Sequence, residues 1–160
     1  MEHVTHDDVK PVYNEHSQIL ILGSMPSKKS REAKFYYAHP QNRFWRILAK
    51  LFQESIVDKR NFVLKHNIAL WDVISACDIE ASSDASIKNV IPNDLTKILN
   101  ISPIKAIFTN GKTAEKYYQK YIYPLTKISS ICLPSTSPAN CRIKEEQLIE
   151  EWSTILKYLK

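Results

Sequence analysis

Four short apolar runs punctuate the chain: "SQILILGS" (17–24), "NIALWDVI" (67–74), "IKAIFTNG" (104–111) and "ISSICLPS" (128–135). The first two read as strands buried on both faces, and the other two as a third strand, closed by Gly111, and a fourth. Between them the spacing changes to that of helices. Phe44, Ile47, Leu48, Leu51 and Phe52 recur at i, i+3, i+4, i+7 and i+8 and predict an amphipathic helix, with Pro40 suited to its first turn. Residues 58–66 suggest a second short helix, and "PNDLTKILN" (92–100) a third with Leu95, Ile98 and Leu99 inward. Ala114, Tyr117, Tyr118 and Tyr121 mark a helix after the third strand. Leu148, Trp152, Ile155, Leu156 and Leu159 mark a final one. Residues 24–39 read as a loop, because Pro26, a Ser/Lys cluster and Pro40 discourage regular structure. Residues 75–91 read as a long serine-rich loop, and residues 1–16 as an irregular N-terminal leader.

Strands alternating with helices imply an α/β fold with a parallel sheet covered on both faces. The 160 residues suit one such domain, spanning 1–160 without repeats or linkers. In parallel sheets ligands bind beyond the carboxyl ends of the strands. Those ends fall at 23–27, 72–75, 109–111 and 134–140, where polar residues interrupt the apolar runs.

Charge sharpens this picture. Lys28, Lys29, Arg31, Lys34, Arg43 and Arg46 stand against the single acid Glu32 between residues 28 and 46, a local excess equal to the +5 of the whole chain. Such a patch attracts polyanions such as nucleic acid. A solvated lysine-rich loop is the competing interpretation. The three cysteines, Cys77, Cys132 and Cys141, form no C-x-x-C pair and fall short of the four ligands of a typical zinc or iron–sulfur site, so free thiols are expected. No apolar run approaches the ~20 residues of a membrane span. The start "MEHVTHDDVKP" is polar and partly acidic, unlike a secretory signal. A cytoplasmic protein without membrane contact is expected.

The motifs "GSMPS" (23–27), "YYAHPQNRFW" (36–45), "ALWDVI" (69–74), "FTNGKTA" (108–114) and "LPSTSPAN" (133–140) occur in that order. Together they resemble the uracil-DNA glycosylase superfamily, nearest to its hypoxanthine-DNA (deoxyinosine) glycosylase branch, with the mismatch-specific uracil glycosylases next. The resemblance runs from about residue 18 to the C-terminus. It implies a single three-layer domain, a four-stranded parallel sheet flanked by helices. The implied activity is monofunctional hydrolysis of the N-glycosidic bond of a deaminated base flipped out of DNA, as in base excision repair. It implies no metal or organic cofactor; an iron–sulfur branch exists, but the cysteine count argues against membership. A monomer acting on DNA is the expected form. The alternatives are uracil or mismatch-specific excision, or a non-catalytic module that binds damaged DNA.

The resemblance also suggests roles for individual residues. Asn42 matches the "HPxN" asparagine that is catalytic in the hypoxanthine branch; in isolation it reads as a residue capping a helix start. An amide takes no proton at neutral pH, but it orients water through its oxygen and donates from its NH₂. Tyr37 stands where relatives stack an aromatic on the extruded base, worth roughly 1–3 kcal/mol. Tyr36 is a second candidate, and His39 is expected to pin the turn. Ser24 and Met25 occupy the two positions of the G-x-x-P loop where better-known branches hold water with Asp, Asn or Glu. Asp72 lies near the asparagine that reads the base edge in uracil-specific relatives. As an acceptor it suits N1–H of hypoxanthine or N3–H of uracil equally, or it simply caps the following loop. Ser135 replaces a histidine found in several branches. Ser137, Pro138 and Ala139 belong to the loop that enters the minor groove in relatives. Lys28, Lys29 and Arg31 are candidate phosphate contacts, and Asn110 and Gly111 read as a cap and a turn.

Overall fold

We describe a computed structural model, which covers residues 2–80 and 84–160. Its centre is β2 (Ile19–Gly23), with all five residues buried. The strand is apolar at every position because both of its faces are covered. Ile19 and Ile21 enter one core with Phe44, Ile47 and Trp152, while Leu20 and Leu22 enter another with Val73, Ile107 and Tyr118. β3 (Ile68–Asp72) pairs parallel on one side of β2, and β6 (Ala106–Asn110) on the other. β7 (Ser130–Leu133) adds parallel to β6, giving the order β3-β2-β6-β7. All four strands are those expected from the sequence, within two or three residues at each end.

Helices cover both faces. α2 (Phe44–Leu51) and α3 (Lys59–Lys65) lie in the first layer with α7 (Glu145–Trp152), which continues as a 3-10 turn to Tyr158. α4 (Thr96–Ile101) and α5 (Lys112–Tyr117) supply the opposite layer, and α5 runs through a π-helical turn into α6 (Tyr123–Thr126). Among the described residues no helix is long and apolar enough to cross a membrane.

Four local expectations need correction. Residues 24–39 are not all loop. Ser27 caps α1 (Lys28–Ala33) by accepting the Ser30 N–H, so the Ser/Lys cluster encodes a helix start. The helix after Pro40 begins four residues later, at Phe44, and Pro40 lies outside it. Residues 75–91 are not a long loop. β4 (Ile74–Ile79) and β5 (Lys88–Pro92) form an antiparallel pair there, with bulges that blur any period-2 signal; residues 81–83 of that stretch lie outside the described residues. β5 also takes the first residue of the helix expected over 92–100.

The N-terminal leader is likewise ordered. β1 (Glu2–Thr5) pairs antiparallel with β4, making a second sheet of order β1-β4-β5. Val4, Val9 and Val12 are buried, and Val12 bridges Leu70. Single valines among polar residues gave no periodic pattern to read. Tertiary contacts fix this segment.

Within the first layer, α7 is tied to α2 at the surface by Glu145, which pairs with Arg46 at 2.5 Å and with Lys50. These cations, Lys50 foremost, hold the Glu145 carboxyl below its usual value. A carboxylate lowered by folding stabilises above its unfolded value, and that contribution is lost as pH falls through the folded one. Glu145→Gln is therefore expected to cost about 0.2–1 kcal/mol at neutral pH. Melting curves of the two proteins should converge as pH falls below the usual glutamate range.

Candidate active site

The carboxyl ends of β2, β3 and β6, with the loop after β7, surround a solvent-open cleft of about 170 Å³. Parallel strands all deliver their ends to one edge, so four segments distant in sequence meet there.

The walls are fastened by polar bonds between loops. The Asn110 carboxamide accepts the Thr136 N–H at 3.0 Å and donates to the Thr136 hydroxyl at 3.0 Å, tying the end of β6 to the loop after β7. The Thr136 carbonyl accepts the Arg43 N–H, and the Arg43 guanidinium donates to the carbonyls of Ile143 and Asn140. Arg43 is thus an internal clamp between the start of α2 and residues 134–143. Arg46, paired with Glu145, is also engaged. The basic stretch 28–46 therefore presents fewer free cations than its sequence suggested.

Asn42 lines the cleft. Its carboxamide oxygen accepts the N–H of Phe44, the first helical residue, at 3.0 Å, and so satisfies a free donor at the start of α2. The helix-cap and cleft positions are thus compatible in one side chain. His39 pins the preceding turn: its Nδ1 accepts the Gln41 N–H and its carbonyl accepts the Asn42 N–H.

Tyr37 also lines the cleft. Phe44 stacks on one of its faces, with centroids 4.1 Å apart, and the side chain as a whole is half-buried. Its backbone is left-handed (φ 53), an uncommon conformation for a non-glycine residue. Its hydroxyl is buried, and burial, then the nearby Asp72 charge, pushes it well above the usual tyrosine range. Tyr36 also reaches the lining, but it is only 2% exposed and its hydroxyl donates to the Lys10 carbonyl, so most of the ring serves the core.

Asp72 closes the floor. It is 3% exposed, and its Oδ2 accepts from His6 Nε2 at 2.7 Å. Burial pulls the His6 imidazole down, but the hydrogen bond and charge of Asp72 more than offset this, so its pKa is raised. His6 escaped sequence reasoning, because nothing near it in the chain marks it. Ser24, Met25, Ser135 and Ser137 line the cleft as well. Ser135 Oγ accepts the Ser137 N–H at 3.1 Å, and Ser137 caps the turn Pro138–Asn140. Pro138 and Ala139 lie outside the cleft lining on that turn. Lys28 and Lys29 are exposed on α1, also outside the lining, and Arg31 donates to the Pro26 carbonyl. Lys112 and Thr113, at the start of α5, join the lining. Cys77 is buried, while Cys132 and Cys141 are exposed, and all three are free.

The sequence model of the uracil DNA glycosylase superfamily matches residues 10–160. The chain belongs to this superfamily. It is 35% identical over 156 residues to a hypoxanthine DNA glycosylase of Methanosarcina acetivorans, covering 92% of this chain and 95% of the relative. It is 37% identical over 113 residues to a hypoxanthine DNA glycosylase of Methanosarcina barkeri, covering 67% and 72%. A solution NMR structure of a candidate uracil DNA glycosylase from Methanosarcina acetivorans superposes with a TM-score of 0.77 at 32% identity, covering 92% of this chain and 94% of that one.

In this superfamily member both glycines lie at the cleft. A Cβ on Gly23 would overlap Asp72 Oδ1 and lie 3.2 Å from the Tyr37 hydroxyl. A Cβ on Gly111, where φ is +97°, would lie 2.9 Å from the Ser135 Cβ. Gly111→Ala should lower stability by about 1–3 kcal/mol from backbone strain alone. Gly23→Ala should lower it by a similar ~1–3 kcal/mol through overpacking. Chemical denaturation of the two variants checks both values.

Proposed function

We propose that the cleft releases hypoxanthine from DNA as a monofunctional glycosylase. The observation that carries this reading is the convergence of Tyr37, Asn42, Asp72 and Ser135 on one cleft at the carboxyl ends of the parallel strands. DNA glycosylase chemistry is common to the superfamily and the two relatives, and the relatives' names favour hypoxanthine among deaminated bases.

The chemistry follows from what a base offers. Deamination of adenine replaces the N1 lone pair by an N1–H and the amino group by a carbonyl. A carboxylate accepts from N1–H and repels a lone pair, so Asp72 selects for the deaminated base on electrostatic grounds. Tyr37, in the lining of the cleft, is the aromatic group suited to stack on the base. The C1′–N9 bond breaks with its electron pair leaving on the purine, and water oxygen then bonds to C1′. The proton from water ends on the base. Negative charge grows on the base as it departs, and the Asn42 NH₂ and Ser135 hydroxyl are the nearby groups suited to stabilise it or to hold the water. Ser24 and Met25, which offer no carboxylate or amide, shape the wall beside them. Catalysis then rests on position and preformed dipoles rather than on a general base.

Lys28, Lys29 and Arg31 on α1, with the Ser137–Pro138–Ala139 turn, are the elements we assign to the DNA backbone and groove. A monomer suffices for this reading, since Tyr37, Asn42, Asp72 and Ser135 line one cleft of a single chain. Lys112, an amine in the lining, is the group a bifunctional enzyme would use.

The test is a duplex with one deoxyinosine, incubated with protein and split into alkali-treated and untreated halves. Cleavage only after alkali is expected; cleavage without alkali would indicate a lyase step, and an intact strand in both would overturn the proposal. Parallel uracil and xanthine substrates rank the bases. Asn42→Ala should lower the single-turnover rate by about 10²–10³, the usual loss of one transition-state donor.

A further inference from the structure

We propose that His6, carried by the N-terminal segment, is a positioning residue that holds the Asp72 carboxylate for base selection. The inference rests on the reading of the cleft above. His6 lies outside the residues matched to the superfamily, which begin at residue 10.

The geometry is that of a built pair. The side chains of His6 and Asp72 are 3% and 4% exposed, and their contact is 2.7 Å. Burying an imidazole and a carboxylate is costly unless each satisfies the other. The ring has no other polar partner, since Nδ1 is buried without a hydrogen bond among the described residues. Its position is fixed from several sides. Pairing of β1 with β4 sets the approach, and the His6 N–H donates to the Ser75 carbonyl at 2.7 Å. The Val9 N–H donates to the His6 carbonyl, closing the turn behind it. The Tyr36 ring lies 6.0 Å from the imidazole, and the Trp71 ring meets it edge-on at 6.2 Å.

The consequence falls on Asp72. With Oδ2 occupied by His6, the carboxylate has one oxygen left, and Oδ1 lies against the bare Cα of Gly23 on the cleft floor. Asn93 holds the Asp72 carbonyl at 2.8 Å, so the backbone is fixed too. A donor at Oδ2 sets the side-chain rotamer and leaves Oδ1 to meet the base edge. The placement matters, because an accepting oxygen held there takes N1–H of hypoxanthine and repels the N1 lone pair of adenine. His6 therefore guards against excision of the normal base, without touching substrate.

Two variants separate this role from simple packing. His6→Phe keeps a ring between Tyr36 and Trp71 but removes the donor. His6→Gln keeps a donor NH₂ on a flexible chain. Single-turnover rates and KM are measured on duplexes carrying deoxyinosine or deoxyadenosine at one position, well below each variant's melting temperature. For His6→Phe we expect the hypoxanthine rate to fall about 10- to 100-fold, the loss typical of a charged hydrogen bond. KM for the duplex should stay near the wild-type value, because backbone phosphate contacts dominate affinity. The hypoxanthine-to-adenine rate ratio should narrow, and His6→Gln should recover a large part of both losses. Wild-type rate and ratio in His6→Phe would overturn the inference. So would equal losses in the two variants, which would mark a packing role. Failure of the wild-type protein on deoxyinosine would instead overturn the assigned activity, and the inference with it.

Discussion

β2 has no face that meets water, and the rest of the architecture answers that constraint. A five-residue apolar strand flanked by two parallel neighbours must be roofed on both sides. One roof is made by α2, α3 and α7, the other by α4, α5 and the small antiparallel sheet. Parallel pairing then brings every strand end with a polar tail to the same edge. Gly23, Asp72 and Asn110 stand there because each is the last residue of its strand, and the cleft is the space their loops leave between them.

That edge would be a set of independent loops without internal bonds. The Asn110–Thr136 pair and the Arg43 clamp join three of them into one rigid rim. A preformed rim matters for the proposed mechanism, which relies on no general base. Charge stabilisation by an amide, a hydroxyl and fixed dipoles works only when those groups are already aimed before reaction. The left-handed Tyr37 backbone, stacked on Phe44, fits the same need, since strain persists only where surroundings enforce it.

The order of motifs made the family and its sheet legible, because buried parallel strands are short, continuous and apolar, and the sequence marks them directly. The turn residues of the site were legible for the same reason: Pro26, Pro40 and Gly111 cannot be read as strand or helix interior. Arg43 was different. Beside five other cations it looked like part of a charged surface, and only the approach of the Ile143 and Asn140 carbonyls turns it into a structural clamp. Asn42 shows the converse, since a helix cap and a cleft-lining amide are one residue seen from two sides.

The sequence by itself determined the four-stranded parallel sheet, the edge at which a ligand binds, and Tyr37, Asn42, Asp72 and Ser135 as residues of that edge. Those features are written in local hydrophobic runs and in short motifs, where neighbours in sequence are neighbours in space. Tertiary structure alone decided the second sheet and the partner of Asp72. β1, β4 and β5 carry weak or bulged alternation, and His6 sits 66 residues from Asp72 in the chain. Their pairing depends on long-range burial of isolated valines and of one ion pair, and no local pattern of residues encodes it.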